Sequence, residues 1–348
     1  MDPCGYPPPI VTQEFVITLS ALPLCTGSTG TDVADLQRRL RAAGFAPDDT
    51  AGTFGPETEL AVHAFQQSTG LHVDGICDAT TWAALVESEY HFGDRLLCLR
   101  SPMMRGDDVS ELQLRLGALG FDAGRVDGIF GPLTLGAVGD FQRNAGLITD
   151  EVCGPDTVEA LIRLEGRGGS ATVTAVRERD RLRRGLRSLP HLKVAVGSAG
   201  GLHPVTIGLA AALQDADVTV LLLDGEWSEQ AAAANDFDAD VYIGLAVVEQ
   251  AVVEASYFEV PGFASAGGRR LAELVVKELP ASPGWGIGAV TGMRLPILRE
   301  TRGSAVLLEL GDSTAVQEHH GLVVASLQRA LEAWADDPCS DEVPSTPT

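Results

Sequence analysis

The stretches GTFGPETELAVHAFQQSTGL (residues 52–71) and GIFGPLTLGAVGDFQRNAGL (residues 128–147) are two copies of one pattern. The match extends upstream without a gap, because GTDVADLQRRLRAAGF (residues 30–45) aligns with GDDVSELQLRLGALGF (residues 106–121) at the same spacing. Self-similarity at a fixed period indicates a repeated structural unit. The sequence therefore predicts two copies of one small module.

Each copy predicts three short helices. In the second copy, apolar residues recur at intervals of three and four over residues 109–119, which is typical of one buried helical face. Asp108 and Glu111 resemble a capping box at the start of this helix, and Gly120 is expected to end it. Further helices are predicted to begin at Pro132 and Pro155, where a proline removes no helical hydrogen bond.

The pattern DGxFGPxT…AV..FQ…GL resembles the peptidoglycan-binding domain, a small three-helix bundle common in cell-wall hydrolases. The resemblance covers residues 30–88 and 106–164. It implies affinity for peptidoglycan or its precursors. The copies differ at two turn positions: Ala51 stands where the second copy has Asp127, and Glu151 stands where the first has glycine.

From residue 192 to residue 335 the pattern changes to short apolar runs that alternate with helical stretches. This alternation predicts an α/β domain on a twisted, largely parallel sheet. The predicted strands are KVAVG (193–197), VTVLLLD (218–224), DVYIGLAVV (240–248) and AVLLELG (305–311). The predicted helices are PVTIGLAAAL (204–213), SEQAAAAN (228–235), GGRRLAELVVKEL (267–279) and TAVQEHHGLVVASLQRALEAW (314–334).

This half resembles the zinc-dependent N-acetylmuramoyl-L-alanine amidase family. The resemblance is carried by Asn235 with the following DADVYIGLAVV, by SAGGRRLAELV, and by MRLPILRETRGSAVLLELGD. Active members of that family have a first strand ending DPGHGG, a glutamate at the next helix, a strand ending SLHAN and a final strand VLVELGF. The resemblance implies that three of these residues would hold zinc and that the final glutamate would move protons.

Most of those residues are replaced here. Glu309 alone matches in place, and we interpret it as a vestigial catalytic residue. The replaced ligand positions are the first histidine (Ser198 or Ala199), the glutamate (Leu202 or His203) and the second histidine (Ala246). His203 is the one candidate metal ligand that remains, and its alternative interpretation is an exposed histidine at the start of a helix. His319 and His320 are adjacent on a helix and point about 100° apart, so they cannot share a metal as an i, i+4 pair does. We therefore expect no metal and no cofactor.

Composition limits the partners. The 348 residues carry a net charge of −23, which disfavours nucleic acid and anionic membranes. No apolar run reaches the roughly 20 residues that span a bilayer, and the N-terminal extension (1–29) lacks the pattern of a secretion signal. The six cysteines are scattered, which favours reduced thiols in the cytoplasm. Cys77 and Cys153, at equivalent places in the repeat, are expected to be core thiols.

Two segments outside the modules have biased composition. Residues 165–191 form an Arg-rich segment that predicts a linker helix, either solvated or paired with an acidic face. Residues 336–348 form an acidic, proline-containing tail that predicts disorder. In that tail Ser345, Thr346 and Thr348 would be accessible to a kinase.

The order of modules resembles a group of actinobacterial, cytoplasmic amidase homologues. The resemblance implies a non-catalytic regulator of peptidoglycan synthesis. It also implies two partners, the UDP-N-acetylglucosamine enolpyruvyl transferase of cell-wall synthesis and a Ser/Thr kinase. Two alternatives stay open at this point. The chain could be an active zinc amidase with ligands that the alignment misplaces, or an exported wall-binding protein without catalytic activity.

Overall fold

A computed structural model describes residues 22–164, 173–184, 188–198, 202–248, 253–260, 262–279, 288–311 and 313–339. Predictions for residues 1–21, for Ala199, and for Ser345, Thr346 and Thr348 in the tail lie outside the described residues. The chain divides into two compact units, Met1–Thr174 and Ala175–Thr348.

The first unit contains two successive three-helix modules, as the repeat predicted. The helices of the first module are α1 (Thr31–Ala42), α2 (Pro56–Thr69) and α3 (Ala79–Glu87). Those of the second are α4 (Asp107–Ala118), α5 (Pro132–Ala145) and α6 (Pro155–Arg163). The predicted starts at Pro132 and Pro155 are therefore confirmed.

The predicted capping box of α4 is wrong. The N-cap of this helix is Gly106, and no side chain caps it. Asp108 lies inside the first turn, where its buried carboxylate accepts hydrogen bonds from Arg95 at 2.6 and 3.0 Å. Asp108 therefore forms an ion pair with Arg95, which lies outside the helix, instead of a capping box with Glu111. The predicted stop is correct, since α4 ends before Gly120, which has a left-handed φ of 95°.

Each module has its own apolar core, and the cysteines of the repeat belong to it. Cys77 and Cys153 are fully buried free thiols, as expected, and burial raises the pKa of each to about 12. Cys25 and Cys339 are also free thiols. Cys98 is disulfide-bonded, so the expectation of reduced thiols is wrong at that residue.

The second unit contains a seven-stranded sheet with the strand order β2-β1-β3-β7-β4-β5, and β6 also pairs with β4. The strands are β1 (Lys193–Ser198), β2 (Thr219–Asp224), β3 (Val241–Val248), β4 (Val253–Val260), β5 (Phe263–Ala264), β6 (Ala289–Met293) and β7 (Ser304–Gly311). The four predicted strands β1, β2, β3 and β7 are confirmed and run parallel. β4 is antiparallel to β7, so the sheet is mostly parallel.

Helices pack on both faces of this sheet. They are α7 (Val173–Arg184), α8 (His203–Asp215), α9 (Trp227–Asp236), α10 (Ala266–Glu278), α11 (Pro296–Glu300), α12 (Ser313–Glu318) and α13 (His320–Asp336), with a 3-10 turn at Leu189–His191. The long helix predicted over residues 314–334 is interrupted at His319.

Helix α7 lies in the segment predicted as an Arg-rich linker, and it packs on the second unit. Leu182 is 9% exposed and joins the core of that unit. The Glu178 carboxylate accepts a hydrogen bond from the Ser265 hydroxyl at 2.7 Å. The Arg181 guanidinium donates to the Arg302 carbonyl at 3.1 Å. Within the ranges given above, no helix is both long and apolar enough to cross a bilayer.

Candidate functional site

Two buried glutamines in each module form hydrogen bonds that link its loops to its helices. In the second module, Gln113 Nε2 donates to Asp127 Oδ1 at 2.9 Å, to the Ile129 carbonyl at 3.1 Å and to Thr134 Oγ1 at 3.1 Å. Its Oε1 accepts from the Gly128 N–H at 2.9 Å. Because Gln113 is 1% exposed, these bonds replace its contacts with water and fix the turn before α5.

The same arrangement occurs at the second glutamine of each copy. Gln142 donates to Asp150 Oδ1, to the Val152 carbonyl and to Thr157 Oγ1 at 2.7 to 3.1 Å. In the first module Gln66 makes the equivalent bonds, and Gln37 makes most of them. Sequence analysis missed these residues. The signal was the repetition of LQ and FQ at the same spacing in both copies.

The substitution noted at Ala51 changes one of these networks. Asp127 provides an acceptor to Gln113 and also accepts the Ile129 N–H at 2.9 Å. Alanine has no such acceptor, and in the first module Gln37 instead reaches the Thr50 carbonyl at 3.4 Å. The turn of the first module is therefore held by a weaker bond at this point.

The other difference between the copies, Gly75 against Glu151, is accompanied by a change at a contacting position. The module with the larger residue at one of these positions has glycine at the other. In the first module Gly75 has a φ of 72°, and a Cβ there would come within 2.6 Å of His63 Nε2. In the second module Glu151 adopts the same left-handed conformation with a φ of 60°, and the residue equivalent to His63 is Gly139. A Cβ on Gly139 would lie 3.2 Å from Glu151 Cγ, so this glycine leaves room for the glutamate.

In the second unit, the site that the amidase resemblance implies lies at the carboxyl ends of β1, β3 and β7. Ligands of parallel α/β sheets bind at this edge. Glu309 on β7 is 7% exposed, and in the sheet register it is paired with Ala246 on β3 and Glu254 on β4. The structure thus places Ala246, at the position of the second histidine, directly beside Glu309.

The neighbouring part of this sheet face is filled by a tyrosine and a glutamine. Tyr242 donates its hydroxyl hydrogen to Gln230 Oε1 at 2.8 Å, and burial raises the pKa of this phenol. Gln230 Nε2 donates to the carbonyls of Ser198 and Gly225 at 3.1 and 2.8 Å. A Cβ at Gly197 would lie within 2.2 Å of both polar groups, so glycine is required where they cross β1.

These residues do not fit a catalytic zinc ion. Such an ion needs about three protein ligands that converge on it. The methyl group of Ala246 provides none, and the carbonyl of Ser198 accepts from Gln230. Among the described residues no group of three or more His, Cys, Asp or Glu side chains could hold a metal ion. Glu309 is the carboxylate that the resemblance assigns to the catalytic position, and it lies beside Ala246 rather than a histidine.

The remaining candidates have positions in helices. His203 is the first residue of α8, a position that both of its interpretations expected. His319 lies between α12 and α13, and His320 begins α13 with its Nδ1 2.9 Å from the Gln317 carbonyl. Asn235 has a structural role, because it donates to the Glu300 carbonyl and accepts from the Arg302 N–H at 2.8 and 2.7 Å.

Known proteins are similar to both halves of the chain. The family described as "Putative peptidoglycan binding domain" matches residues 29–85 and 105–161. N-acetylmuramoyl-L-alanine amidase CwlM of Mycobacterium tuberculosis is 32% identical over 310 residues, covering 80% of this chain and 76% of the relative. N-acetylmuramoyl-L-alanine amidase CwlL of Bacillus licheniformis is 37% identical over 157 residues, covering 39% of this chain and 44% of the relative.

A solved structure is also similar to part of the chain. It is the N-acetylmuramyl-L-alanine amidase Ami1 of Mycobacterium smegmatis, with 12% identity and a TM-score of 0.36. The match covers 43% of this chain and 99% of that one.

Proposed function

The chain belongs to the family of N-acetylmuramoyl-L-alanine amidase homologues that includes CwlM, and from this premise we propose that it is a non-catalytic member. In this proposal it binds peptidoglycan or a precursor through its two modules and regulates peptidoglycan synthesis. The observation that carries the proposal is the pairing of Glu309 with Ala246 across β7 and β3. A carboxylate beside a methyl group cannot activate a metal-bound water, because metal affinity depends on several converging ligands.

Two measurements on the purified full chain test the absence of catalysis. We expect well under one zinc per chain by elemental analysis, and no release of stem peptide from muropeptides. A zinc amidase assayed in parallel with the same substrate provides the positive control. Stoichiometric zinc together with turnover would establish the alternative, an active amidase, and would contradict the proposal.

Binding through the modules is tested separately. We expect the full chain to cosediment with purified peptidoglycan sacculi, and a fragment that lacks both modules to remain in the supernatant. The family match of both copies supports this expectation. Failure of the full chain to bind sacculi, muropeptides or lipid-linked precursors would remove the proposed affinity.

The regulatory part of the proposal names partners. We infer that the chain acts in the cytoplasm on the UDP-N-acetylglucosamine enolpyruvyl transferase, under control of a Ser/Thr kinase acting on Ser345, Thr346 or Thr348. A pull-down from native lysate with mass spectrometry should recover the transferase, and the purified chain should change its rate. Phosphopeptide mapping that finds sites only in residues 22–191 would contradict the role of the tail. Fractionation that places the chain in the cell wall would favour the exported alternative.

A further inference from the structure

A cleft lies within the first unit, between helix α3 and the loop that enters the second module. Its volume is about 740 Å³, which is in the range of sites for small ligands. Basic, aromatic and apolar side chains line it together. The lining includes Val86, Glu87, Tyr90, Arg100, Met103 and Arg105. Neither the peptidoglycan-binding match nor the amidase resemblance assigns a role to this place.

The loop that builds one wall of the cleft is specific to the second module. In both modules an isolated bridge ties the entering segment to the cysteine that precedes the third helix, and another ties it to the turn before the second helix. In the first module these bridges start at Leu24 and Thr29, five residues apart. In the second they start at Leu97 and Arg105, eight residues apart. The three additional residues lie in the segment that contributes residues 100–105 to the cleft.

Arg95 forms a rigid side of the cleft. Its guanidinium donates to the buried Asp108 carboxylate at 2.6 Å and to the Arg105 carbonyl at 2.6 Å, and it stacks on the Tyr90 ring at 3.7 Å. Because Asp108 is 1% exposed, the charge of Arg95 is largely balanced within the protein. Arg95 therefore positions the loop and the tyrosine rather than supplying a free positive charge.

Arg100 has a different environment. It is exposed, and within the described part of the chain it makes no hydrogen bond or ion pair. Arg100 therefore places a positive charge in a concave site of a chain whose net charge is −23. An exposed guanidinium without an ion pair can bind an anionic group through two parallel hydrogen bonds.

We propose that this junction cleft binds the carboxylate of a short peptide. Arg100 would bind the carboxylate, and the apolar lining of Val86 and Met103 would contact small side chains next to it. Glu87 lines the same cleft and places a negative charge in it. The choice of a cell-wall stem peptide as the ligand rests on the proposed affinity for peptidoglycan.

The charge balance favours a carboxylate over a phosphate. Three arginines line the cleft, but Asp108 balances Arg95 and Glu87 contributes a negative charge of its own. The remaining positive charge matches one monoanionic group. A dianion would exceed this remaining positive charge and would meet the net charge of −23 of the chain, which disfavours its approach.

Calorimetric titration of the full chain tests the site. The probe is the pentapeptide L-Ala-γ-D-Glu-L-Lys-D-Ala-D-Ala, compared with its C-terminal amide, with an all-L peptide of the same composition, and with inorganic phosphate. We expect Arg100→Gln to weaken binding of the free acid at least about tenfold, as expected for loss of a charge-assisted bond. Amidation of the C-terminus should weaken binding to the same extent. Arg163→Gln removes an exposed arginine of the same module outside the cleft, and it should leave affinity unchanged.

Each outcome decides the proposal. Equal binding by the all-L peptide would support the carboxylate site and assign it to protein or peptide C-termini in general. Unchanged affinity in Arg100→Gln, or equal competition by phosphate, would overturn it. If sacculi bind the full chain while Arg100→Gln has no effect, the junction proposal fails and the proposed function stands. Arg100→Gln should keep the melting temperature of the parent, which separates lost binding from lost folding.

Discussion

Two adjacent glutamines on α2, Gln66 and Gln67, have opposite environments. Gln66 is 1% exposed and bonds the Asp74 side chain, the Ile76 carbonyl and Thr81 Oγ1, whereas Gln67 is exposed. Gln66→Leu leaves buried donors and acceptors without partners, so we expect it to destabilise the first module by at least about 2 kcal/mol. Gln67→Leu should change stability by less than about 0.5 kcal/mol.

Hydrogen exchange of α1 to α3, measured by mass spectrometry on the full chain, checks this prediction because it reports the stability of that module alone. Equal protection in the two variants would show that the buried network contributes nothing. The adjacent position makes Gln67→Leu a matched control for helix propensity.

Glu309 is the residue on which the amidase resemblance depends. Glu309 is 7% exposed on β7, and a buried carboxylate remains charged only with polar partners. Arg294, Arg299 and Arg302 precede Glu309 in the sequence, and we expect one of them to supply that partner. Glu309→Gln should therefore lower stability by about 1 to 3 kcal/mol and leave partner binding intact. Thermal melts and a binding assay check this prediction. Glu254→Gln, at the position on β4 that is paired with Glu309, is the control. Unchanged stability with lost function would assign Glu309 a catalytic or contact role.

Residue positions were predictable where a linear pattern fixes them. Glu309 and Ala246 could be placed at strand ends because both follow buried apolar runs, and the register confirms that they are paired. The buried glutamines were not predictable in the same way. A glutamine on an amphipathic helix is normally exposed, and Gln113 is buried only because the turn containing Asp127 folds back over it.

At the scale of the element, the turn between α2 and α3 shows how the two modules compensate for different side chains. Gly75→Glu in the first module should cost at least about 2 kcal/mol, because a Cβ would approach His63 within 2.6 Å in a left-handed backbone. The double variant His63→Gly with Gly75→Glu reproduces the pair Gly139 and Glu151 of the second module.

We expect a favourable coupling of about 1 kcal/mol or more between these two substitutions in a double-mutant cycle. The single variant His63→Gly should cost about 0.5 kcal/mol from helix propensity alone, since histidine is itself a weaker helix former than alanine. Strict additivity of the two single effects would show that the clash does not determine the pairing.

Helix α1 carries an acid-sensitive ion pair. Burial raises the pKa of Asp35, but hydrogen bonds from Arg38 and Arg39 outweigh this effect, and the pKa of this carboxyl lies below its ordinary value. A carboxyl with a lowered folded-state pKa stabilises the protein above its unfolded-state pKa, and this contribution is lost as the pH falls through the folded value. Asp35→Asn should therefore cost about 1 to 2 kcal/mol at pH 7.

The same substitution should have almost no effect below the folded-state pKa of Asp35, where the parent carboxyl is protonated too. Chemical denaturation of both proteins between pH 2 and pH 7, followed by hydrogen exchange in α1, measures the difference. Asp48→Asn, at an exposed position before the turn, is the control. A cost that does not depend on pH would show that side-chain shape rather than charge stabilises this helix.

Among the elements of the second unit, the ones with continuous apolar sequence were predicted and the mixed ones were missed. Strand β4 carries Glu254, Ser256 and Glu259, so its sequence lacks the buried run that identifies β7. It belongs to the sheet because it pairs with β7, a contact that local sequence does not encode. The interruption at His319 was missed for the same reason, since the residues on both sides favour a helix.

At the scale of the whole molecule, the repeat and the change of pattern after residue 191 predicted the order of modules and α/β domain. The junction cleft could not be predicted in this way. It depends on a loop three residues longer in the second module and on how that loop meets α3, which only the folded first unit defines.

The second unit begins at Ala175, within helix α7, so its stability should depend on that helix. A fragment that starts at residue 172 retains α7, whereas one that starts at residue 188 loses it. Loss of α7 removes the buried Leu182, the bond from Ser265 to Glu178 and the bond from Arg181 to the Arg302 carbonyl. Burial of one leucine alone contributes about 1.5 to 3 kcal/mol. We therefore expect the longer fragment to be more stable by at least about 2 kcal/mol in urea denaturation. Leu182→Ala in the longer fragment should reproduce most of the difference, while Arg179→Gln should not. Equal stability of the two fragments would mean that α7 is a linker, as its arginine content first indicated.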